Sequence, residues 1–266
     1  MPIAHVNGVD LAYELSGSGP NVLFLNGSGT TLESARPLLG LFAPGVTLLA
    51  FDYRGLGSSG PAPLPYGMAD CAADALGLLD TVGWQTARII GISFGGMVAQ
   101  EVAVTAPGRV ERLALLCTSS GGAGGSSYPL HELESLGPEE RTVRARTLLD
   151  TRFDRAWLAD HPGDRALADM MDRRTGTADP AQEAGRRAQL EARRGHDVWE
   201  RLDVIDCPTL VAAGRFDGIA PLANGTAIAS RIPGAELRAY DGGHAFFAQD
   251  PTALPDVRAF LFDDAW

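Results

Sequence analysis

The stretch Arg88–Gln100, RIIGISFGGMVAQ, places a serine between a strand-like segment and a helix-like segment. Residues Ala87 to Ile92 are apolar and rich in β-branched side chains, which favours a strand buried on both faces. From Met97 no helix-breaking residue occurs before Pro107, which predicts a helix of about three turns. A serine at such a junction, with glycine two residues before and after it, fits a sharp turn that exposes a nucleophilic hydroxyl. Ser93 is therefore our candidate nucleophile; a serine in an ordinary glycine-rich turn is the alternative.

Composition limits the class of protein. The chain has 266 residues, 45% of them hydrophobic, which suits one α/β domain with an insertion. No apolar run approaches the roughly 18 residues of a membrane span. The N-terminus lacks a basic segment followed by an apolar one, so we expect a cytoplasmic protein with no membrane partner. The net charge of −11 argues against a nucleic-acid partner.

Two residue types constrain the chemistry further. All 22 basic residues are arginine, which excludes lysine chemistry such as a Schiff base. The three cysteines, Cys71, Cys117 and Cys207, are odd in number and far apart. This spacing predicts buried thiols and not a disulfide framework.

Strand and helix patterns alternate along most of the chain. A hairpin is predicted around Asn7-Gly8, and a helix is predicted from Met68 to Val82. The further predicted strands are Asn21 to Leu25, Thr47 to Phe51, Arg112 to Leu116, Pro208 to Ala213 and Glu236 to Tyr240. This alternation predicts an α/β fold with a doubly wound, mostly parallel sheet.

The alternation is interrupted in the middle of the chain. The glycine- and serine-rich run from Ser119 to Ser127 predicts a flexible joint. The next segment, Pro129 to Arg201, has a helical pattern and nearly balanced charge. We therefore predict a helical cap over residues 121–202, inserted into a core made of residues 1–120 and 203–266. Large apolar side chains of this insertion either line a pocket or form the cap's own core: Phe153, Trp157, Met170, Met171 and Trp199.

A serine nucleophile needs a base, and the base needs an orienting acid. Of the five histidines, His244 is the one that sits in a glycine turn after a late strand. Asp217 follows the preceding strand and is the candidate acid; a turn-forming or helix-capping aspartate is the alternative. Asp206 and Asp241 are rivals, but each lies before its strand or at its end. No pair of histidines has the spacing of a helical metal site, so we expect no metal.

An acyl-transfer intermediate also needs donors aimed at its oxyanion, each worth about 3 kcal/mol. The backbone N–H of Phe94, directly after the nucleophile, is one candidate. The second candidate is the N–H of Ser28, in the loop that follows an early strand. The alternative for that loop is a glycine-rich segment that only turns the chain.

Five stretches now make the chain resemble the α/β-hydrolase superfamily along almost its whole length: LNGSGTT (25–31), FDYRGLGSSG (51–60), GISFGG (91–96), GRFDGIAP (214–221) and GGHAFFAQDP (242–251). The chain is most similar to capped serine esterases and lactonases, which include 3-oxoadipate enol-lactonases and aclacinomycin methylesterases. This resemblance implies a hydrolase that needs no metal and no cofactor and has a helical cap over its site. Many relatives have His-Gly where this chain has Asn26-Gly27, a change that leaves a backbone donor at Ser28 in place.

The combined expectation is a carboxylesterase or lactonase that acts on a small organic molecule. Ser93, His244 and Asp217 would form its triad and an acyl-enzyme its intermediate. Two alternatives stay open, a C–C bond hydrolase acting on a diketone and a slow-turnover, receptor-like binding protein. The sequence does not specify the physiological substrate, the cap residues that contact it or the oligomeric state.

Overall fold

The computed structural model describes residues 1–174 and 179–262. In this part of the chain, eight strands form one sheet in the order β1-β2-β4-β3-β5-β6-β7-β8. Strand β2 pairs antiparallel with both β1 and β4, and the six strands β3 to β8 are parallel to one another. The strand bounds are β1 Ile3–Val6, β2 Val9–Gly17, β3 Asn21–Leu25, β4 Thr47–Phe51, β5 Ala87–Ile92, β6 Val110–Leu116, β7 Thr209–Gly214 and β8 Glu236–Tyr240. The predicted doubly wound, mostly parallel sheet is confirmed.

Helices cover both faces of the sheet, and four of the described helices lie between β6 and β7 along the chain. The core helices are α1 Leu32–Phe42, α2 Met68–Thr81, α3 Phe94–Thr105, α8 Leu222–Arg231, α9 Phe246–Gln249 and α10 Ala253–Phe262. The inserted helices are α4 Pro138–Leu149, α5 Arg155–Asp160, α6 Pro162–Arg174 and α7 Pro180–Arg194. Short 3₁₀ turns occur at Pro107–Arg109, Gly122–Gly124, Leu130–Ser135 and Trp199–Val204. None of the described helices combines the length and the apolar character that a membrane span requires.

The central strands are apolar on both faces because helices cover both. Ile89 of β5 belongs to a cluster that includes side chains of α2 and α3. The next residue, Ile90, points the other way into a cluster with α1 and α10. Such alternation between two buried faces is typical of parallel sheets. The edge where these strands end carries the candidate site.

The predicted hairpin is present at the start of the sheet. Asn7 and Gly8 both have positive φ, at 48° and 75°, as a two-residue hairpin turn requires. The three cysteines are buried and free, as their spacing predicts.

The glycine- and serine-rich run, predicted to be a flexible joint, makes specific contacts. Ser119 and Ser120 are fully buried, at 1% and 0% exposure. Ser119 and Ser127 share a hydroxyl hydrogen bond of 2.7 Å, and the Ser120 carbonyl accepts from the N–H of Val198 at 2.9 Å. One of these bonds lies within the run and the other attaches it to the end of the insertion, contacts that local composition does not reveal.

The large apolar residues of the insertion mainly form its own core. Phe153 is buried in a cluster with Leu149, Leu158 and Ala168, and Trp157 and Met171 pack against that cluster. Met170 is 45% exposed, and Trp199 packs against the core of the sheet. Of the two sequence interpretations, the structural one is favoured over a pocket lining.

Candidate active site

Ser93 lies on a strained turn between β5 and α3. Its φ of 56° and ψ of −114° are unusual for a residue with a side chain and cost about 1–3 kcal/mol. The neighbouring glycines are needed because a Cβ on Gly91 would overlap the Gly95 carbonyl oxygen, and a Cβ on Gly95 would overlap that of Leu25. Thr118 Oγ1 donates to the Ser93 carbonyl at 2.8 Å. The strain is thus maintained by tight packing and a specific hydrogen bond.

The ends of three strands bring Ser93, His244 and Asp217 together. His244 Nε2 lies 2.9 Å from Ser93 Oγ, and its Nδ1 lies 2.8 Å from Asp217 Oδ2. The Asp217 side chain is fully buried, and the His244 side chain is 14% exposed. The three residues follow β5, β8 and β7, whose carboxyl ends share one edge of the sheet. The structure therefore joins them in one continuous hydrogen-bonded chain.

The Asp217 carboxylate is fixed in one orientation. Its Oδ1 accepts from the backbone N–H groups of Ile219 at 2.7 Å and Ala220 at 2.8 Å. Its Oδ2 is left to accept from the imidazole. The rivals do not reach His244: Asp206 is exposed, and Asp241 is 71% exposed and pairs with Arg152 at 2.8 Å.

The loops that carry Asp217 and His244 are attached to the end of α4. The His244 N–H donates to the Leu149 carbonyl at 2.6 Å, and the Gly218 N–H donates to the Leu148 carbonyl at 3.0 Å. The Thr151 N–H returns a bond to the Phe216 carbonyl at 2.8 Å. These three backbone bonds fix the positions of the two loops relative to each other. Nothing in the local sequence of residues 148–151 indicates this contact.

The two candidate oxyanion donors flank Ser93. Phe94 is the first residue of α3, so its N–H has no acceptor within the helix. A Cβ built on Gly27 would lie 3.8 Å from Ser93 Cβ, which places the loop of Ser28 directly beside the serine. In the part of the chain that the structure describes, the Ser28 N–H has no backbone acceptor. Both N–H groups are available to a ligand.

Asn26, at the position where many similar proteins have histidine, is buried. Only 2% of the residue is exposed, and its Nδ2 has no acceptor among the described residues. Its carbonyl accepts from the Tyr53 hydroxyl at 3.3 Å. The side chain therefore adds an unused donor to the region around Ser28.

Helix α7 lies on the loops that follow β3 and β4. Gln189 Oε1 accepts from the N–H of Gly29 at 2.6 Å. Gln182 Oε1 accepts from the N–H of Gly57 at 2.7 Å, and its Nε2 donates to the Gly57 carbonyl at 3.0 Å. Between them, Gly185 touches the Gly55 backbone so closely that a Cβ would overlap the Gly55 carbonyl oxygen. Neither glutamine stands out in the sequence; their one local signal is the seven-residue spacing, which puts them on one helix face.

The chain is similar to a known protein family. Residues 20–251 match the family described as alpha/beta hydrolase fold. The chain belongs to the α/β-hydrolase family. The resemblance inferred from the five motifs is thereby confirmed, and hydrolysis is the activity that the family supports.

Individual α/β-hydrolase relatives differ in the bond that they cleave. The chain is 30% identical to a protein of Azorhizobium caulinodans named "Putative carbamate hydrolase RutD", over 97% of this chain and 96% of that one. It is 30% identical to a poly(3-hydroxyalkanoate) depolymerase of Ectopseudomonas oleovorans, over 90% and 83% of the two chains. It also resembles the crystal structure of the enol-lactonase from Burkholderia xenovorans LB400, with 25% identity, a TM-score of 0.79 and coverage of 98% and 99%.

Proposed function

We propose that this α/β-hydrolase is a serine esterase or lactonase that works through an acyl-enzyme. The observation that carries the proposal is the hydrogen-bonded chain from Ser93 through His244 to Asp217. The arrangement has the order and distances that proton transfer from a serine hydroxyl needs. The names of the depolymerase and the enol-lactonase agree with cleavage of a carboxylic ester or lactone.

Each residue would have one role in the reaction. With Nδ1–H donating to Asp217, His244 presents the lone pair of Nε2 to Ser93 Oγ. Ser93 loses its proton to Nε2 as it attacks the carbonyl carbon. The oxyanion accepts from the N–H groups of Ser28 and Phe94. His244 then gives the proton to the leaving alkoxide, and the same base activates the water that releases the acid.

The inserted helices would form the cap over this site. Helix α7 supports the loop of Ser28, and the end of α4 supports the loops of Asp217 and His244. The proposed cap, residues 121–202, therefore contacts the loops that carry Ser28, Asp217 and His244. We assign it the selection of substrates.

The decisive test is a pair of matched substitutions assayed on p-nitrophenyl acetate. Asp217→Asn should lower kcat by about 10⁴-fold, because His244 loses its orienting charge and its tautomer control. Asp241→Asn changes an exposed aspartate three residues from His244 and should leave kcat within twofold. If Asp241→Asn gives the large loss of kcat instead, Asp241 and not Asp217 is the orienting acid. Ser93→Ala should abolish turnover and labelling by a serine-directed phosphonate, while circular dichroism stays that of the wild type.

The same enzyme preparations distinguish the two alternatives. A C–C bond hydrolase would cleave a vinylogous diketone with a higher kcat/KM than any ester or lactone tested. A receptor-like binding protein would bind such ligands without steady turnover. Measurable ester or lactone hydrolysis that requires Ser93, with little diketone cleavage, is the outcome that we expect.

A further inference from the structure

A cavity of about 370 Å³ lies between the inserted helices and the core. Met97 of α3 forms part of its wall, and Met97 is one helical turn, about 6 Å along the axis, from Ser93. Helix α7 contributes Arg193, which is one turn beyond the glutamine that contacts the Ser28 loop. The remaining lining includes Ser119, Tyr128 and Leu190. The lining residues Met97 and Arg193 thus lie on the two helices, α3 and α7, that also contribute to the turn of Ser93 and contact the loop of Ser28.

Arg193 has no acceptor for its buried nitrogens. The residue is only 8% exposed, and Nε and Nη2 lack a hydrogen-bond partner among residues 1–174 and 179–262. The same part of the chain contains another buried arginine, Arg54, which is fully matched: its Nε and Nη2 reach Asp74 at 2.7 and 2.6 Å. A buried guanidinium without a partner lowers the stability of the fold by several kcal/mol. A bound anion would offset that cost.

A second unused donor lies on the same helix face. Gln189 is 1% exposed, and its Nε2 has no acceptor in the described residues. Its four-residue separation from Arg193 stacks the two side chains along α7. Together they offer several N–H donors and no competing acceptor, apart from the Gln189 oxygen that Gly29 already uses.

The charged groups around the cavity leave Arg193 available. Glu132 lines the cavity, but it is exposed and makes no ion pair with Arg193 in the described residues. Burial lowers the pKa of Arg193 to about 10, and the charge of Asp217 opposes that shift. The guanidinium therefore stays protonated at neutral pH. An overall charge of −11 repels anions at a distance, so an anion can be recognised here only through a local site of this kind.

We propose that Arg193, with Gln189 Nε2 beside it, binds a carboxylate of the substrate while the scissile carbonyl lies at Ser93. The inference rests on the proposed function and narrows it: the substrate would be an ester or lactone that carries a free carboxylate. A planar guanidinium matches the two oxygens of a carboxylate, and such charge-assisted bonds are about twice as strong as neutral ones. Each bound substrate molecule would then supply acceptors for the unpaired N–H donors of α7.

The first test compares acidic and neutral substrates of the same length. The p-nitrophenyl half-esters of the linear diacids from succinic to pimelic acid are assayed beside the p-nitrophenyl esters of the matching monoacids. The wild type should prefer at least one half-ester, and Arg193→Gln should lower that preference in kcat/KM by about 10- to 100-fold, mainly through KM. The matched control is Arg187→Gln, on the same helix, whose side chain is 65% exposed and pairs with Glu183 at 3.3 Å. It changes the net charge equally and should leave the preference as in the wild type.

A second test does not depend on hydrolysis. Calorimetric titration of the wild type, Arg193→Gln and Arg187→Gln with glutarate and adipate should show binding that Arg193→Gln alone loses. If no ester or lactone is cleaved but this pattern holds, the proposed function fails and the carboxylate site stands. If esters are cleaved with no preference for half-esters, or if Arg193→Gln keeps both the preference and the binding, the carboxylate site is overturned. A melting temperature of Arg193→Gln at or above that of the wild type confirms that the variant is folded.

Discussion

Gly185→Ala tests whether α7 supports the loop of Ser28. A Cβ at position 185 would lie 2.7 Å from the Gly55 carbonyl carbon, whereas ordinary contact begins at 3.4 Å. The overlap with the Gly55 carbonyl oxygen is larger still, so helix α7 must move by more than the ~0.7 Å that the carbon contact alone requires. If the displacement reaches Gln189, its bond to the Gly29 N–H lengthens from 2.6 Å to more than about 3.3 Å, beyond the usual hydrogen-bond range. The substitution thus weakens the loop support without touching a proposed catalytic residue.

The expected cost follows from that lost hydrogen bond. A buried N–H without a partner costs about 1–3 kcal/mol. Replacing a helix-interior glycine with alanine returns about 1 kcal/mol through backbone entropy. Gly40→Ala, in α1, provides the matched control, since a Cβ there meets nothing within 4 Å. This variant should therefore show only the stabilisation from the lower backbone entropy. The two variants should therefore differ by about 1–3 kcal/mol, which is at least roughly 2 °C in melting temperature.

Thermal unfolding and esterase kinetics measure the two consequences. Gly185→Ala should melt below Gly40→Ala and show a kcat about tenfold below the wild type, a fraction of what losing an oxyanion donor costs. Gly40→Ala should keep the wild-type kcat. Equal melting temperatures together with an unchanged kcat in Gly185→Ala would refute the reasoning, because α7 would then be free to move without consequence for the loop.

Two further predictions concern buried charges. Asp74→Asn should destabilise the protein by about 3–5 kcal/mol in urea unfolding, because Arg54 stays buried without its partner; Asp80→Asn, which breaks an exposed pair with Arg109, should cost about 1 kcal/mol or less. Burial lowers the pKa of His196 to about 4, below its unfolded value of about 6.5, so its contribution to stability is complete above pH 6.5 and is lost as the pH falls. Between pH 7 and pH 5 the wild type should therefore lose about 2 kcal/mol more than His196→Gln, and equal losses would contradict that assignment.

Local signals account for most of what the sequence predicts about the fold. The strands Asn21–Leu25, Thr47–Phe51 and Glu236–Tyr240 have the predicted bounds, because the first two are short apolar runs, the third alternates charged and apolar residues, and turn residues close each of them. Helix α3 begins at Phe94, three residues before the segment on which its prediction rests, because the glycines of the turn are already helical. The order of motifs along the chain was enough to select Ser93, Asp217 and His244, which the structure brings within hydrogen-bond distance.

Long-range contacts account for what the sequence could not predict. Gln189 reaches a loop 160 residues earlier in the chain, and Gln182 one that lies 125 residues earlier. Neither contact leaves a pattern in its own neighbourhood beyond the shared helix face. The same limit explains the run from Ser119 to Ser127, whose composition suggests freedom while its first residues, Ser119 and Ser120, are buried. The unpaired donors of Arg193 likewise become visible only when the absence of nearby acceptors is known.

The attachment of α4 to the loops of Asp217 and His244 has a consequence for how such enzymes diversify. All three bonds join backbone groups, so they impose no requirement on the side chains of residues 148, 149 and 151. These bonds therefore set the spacing between acid and base without a specific side chain, whereas α7 contacts the loops after β3 and β4 through specific residues. A chimaera that keeps residues 147–151 and α7 but replaces α5 and α6 should inherit a working proton relay together with a new choice of substrate.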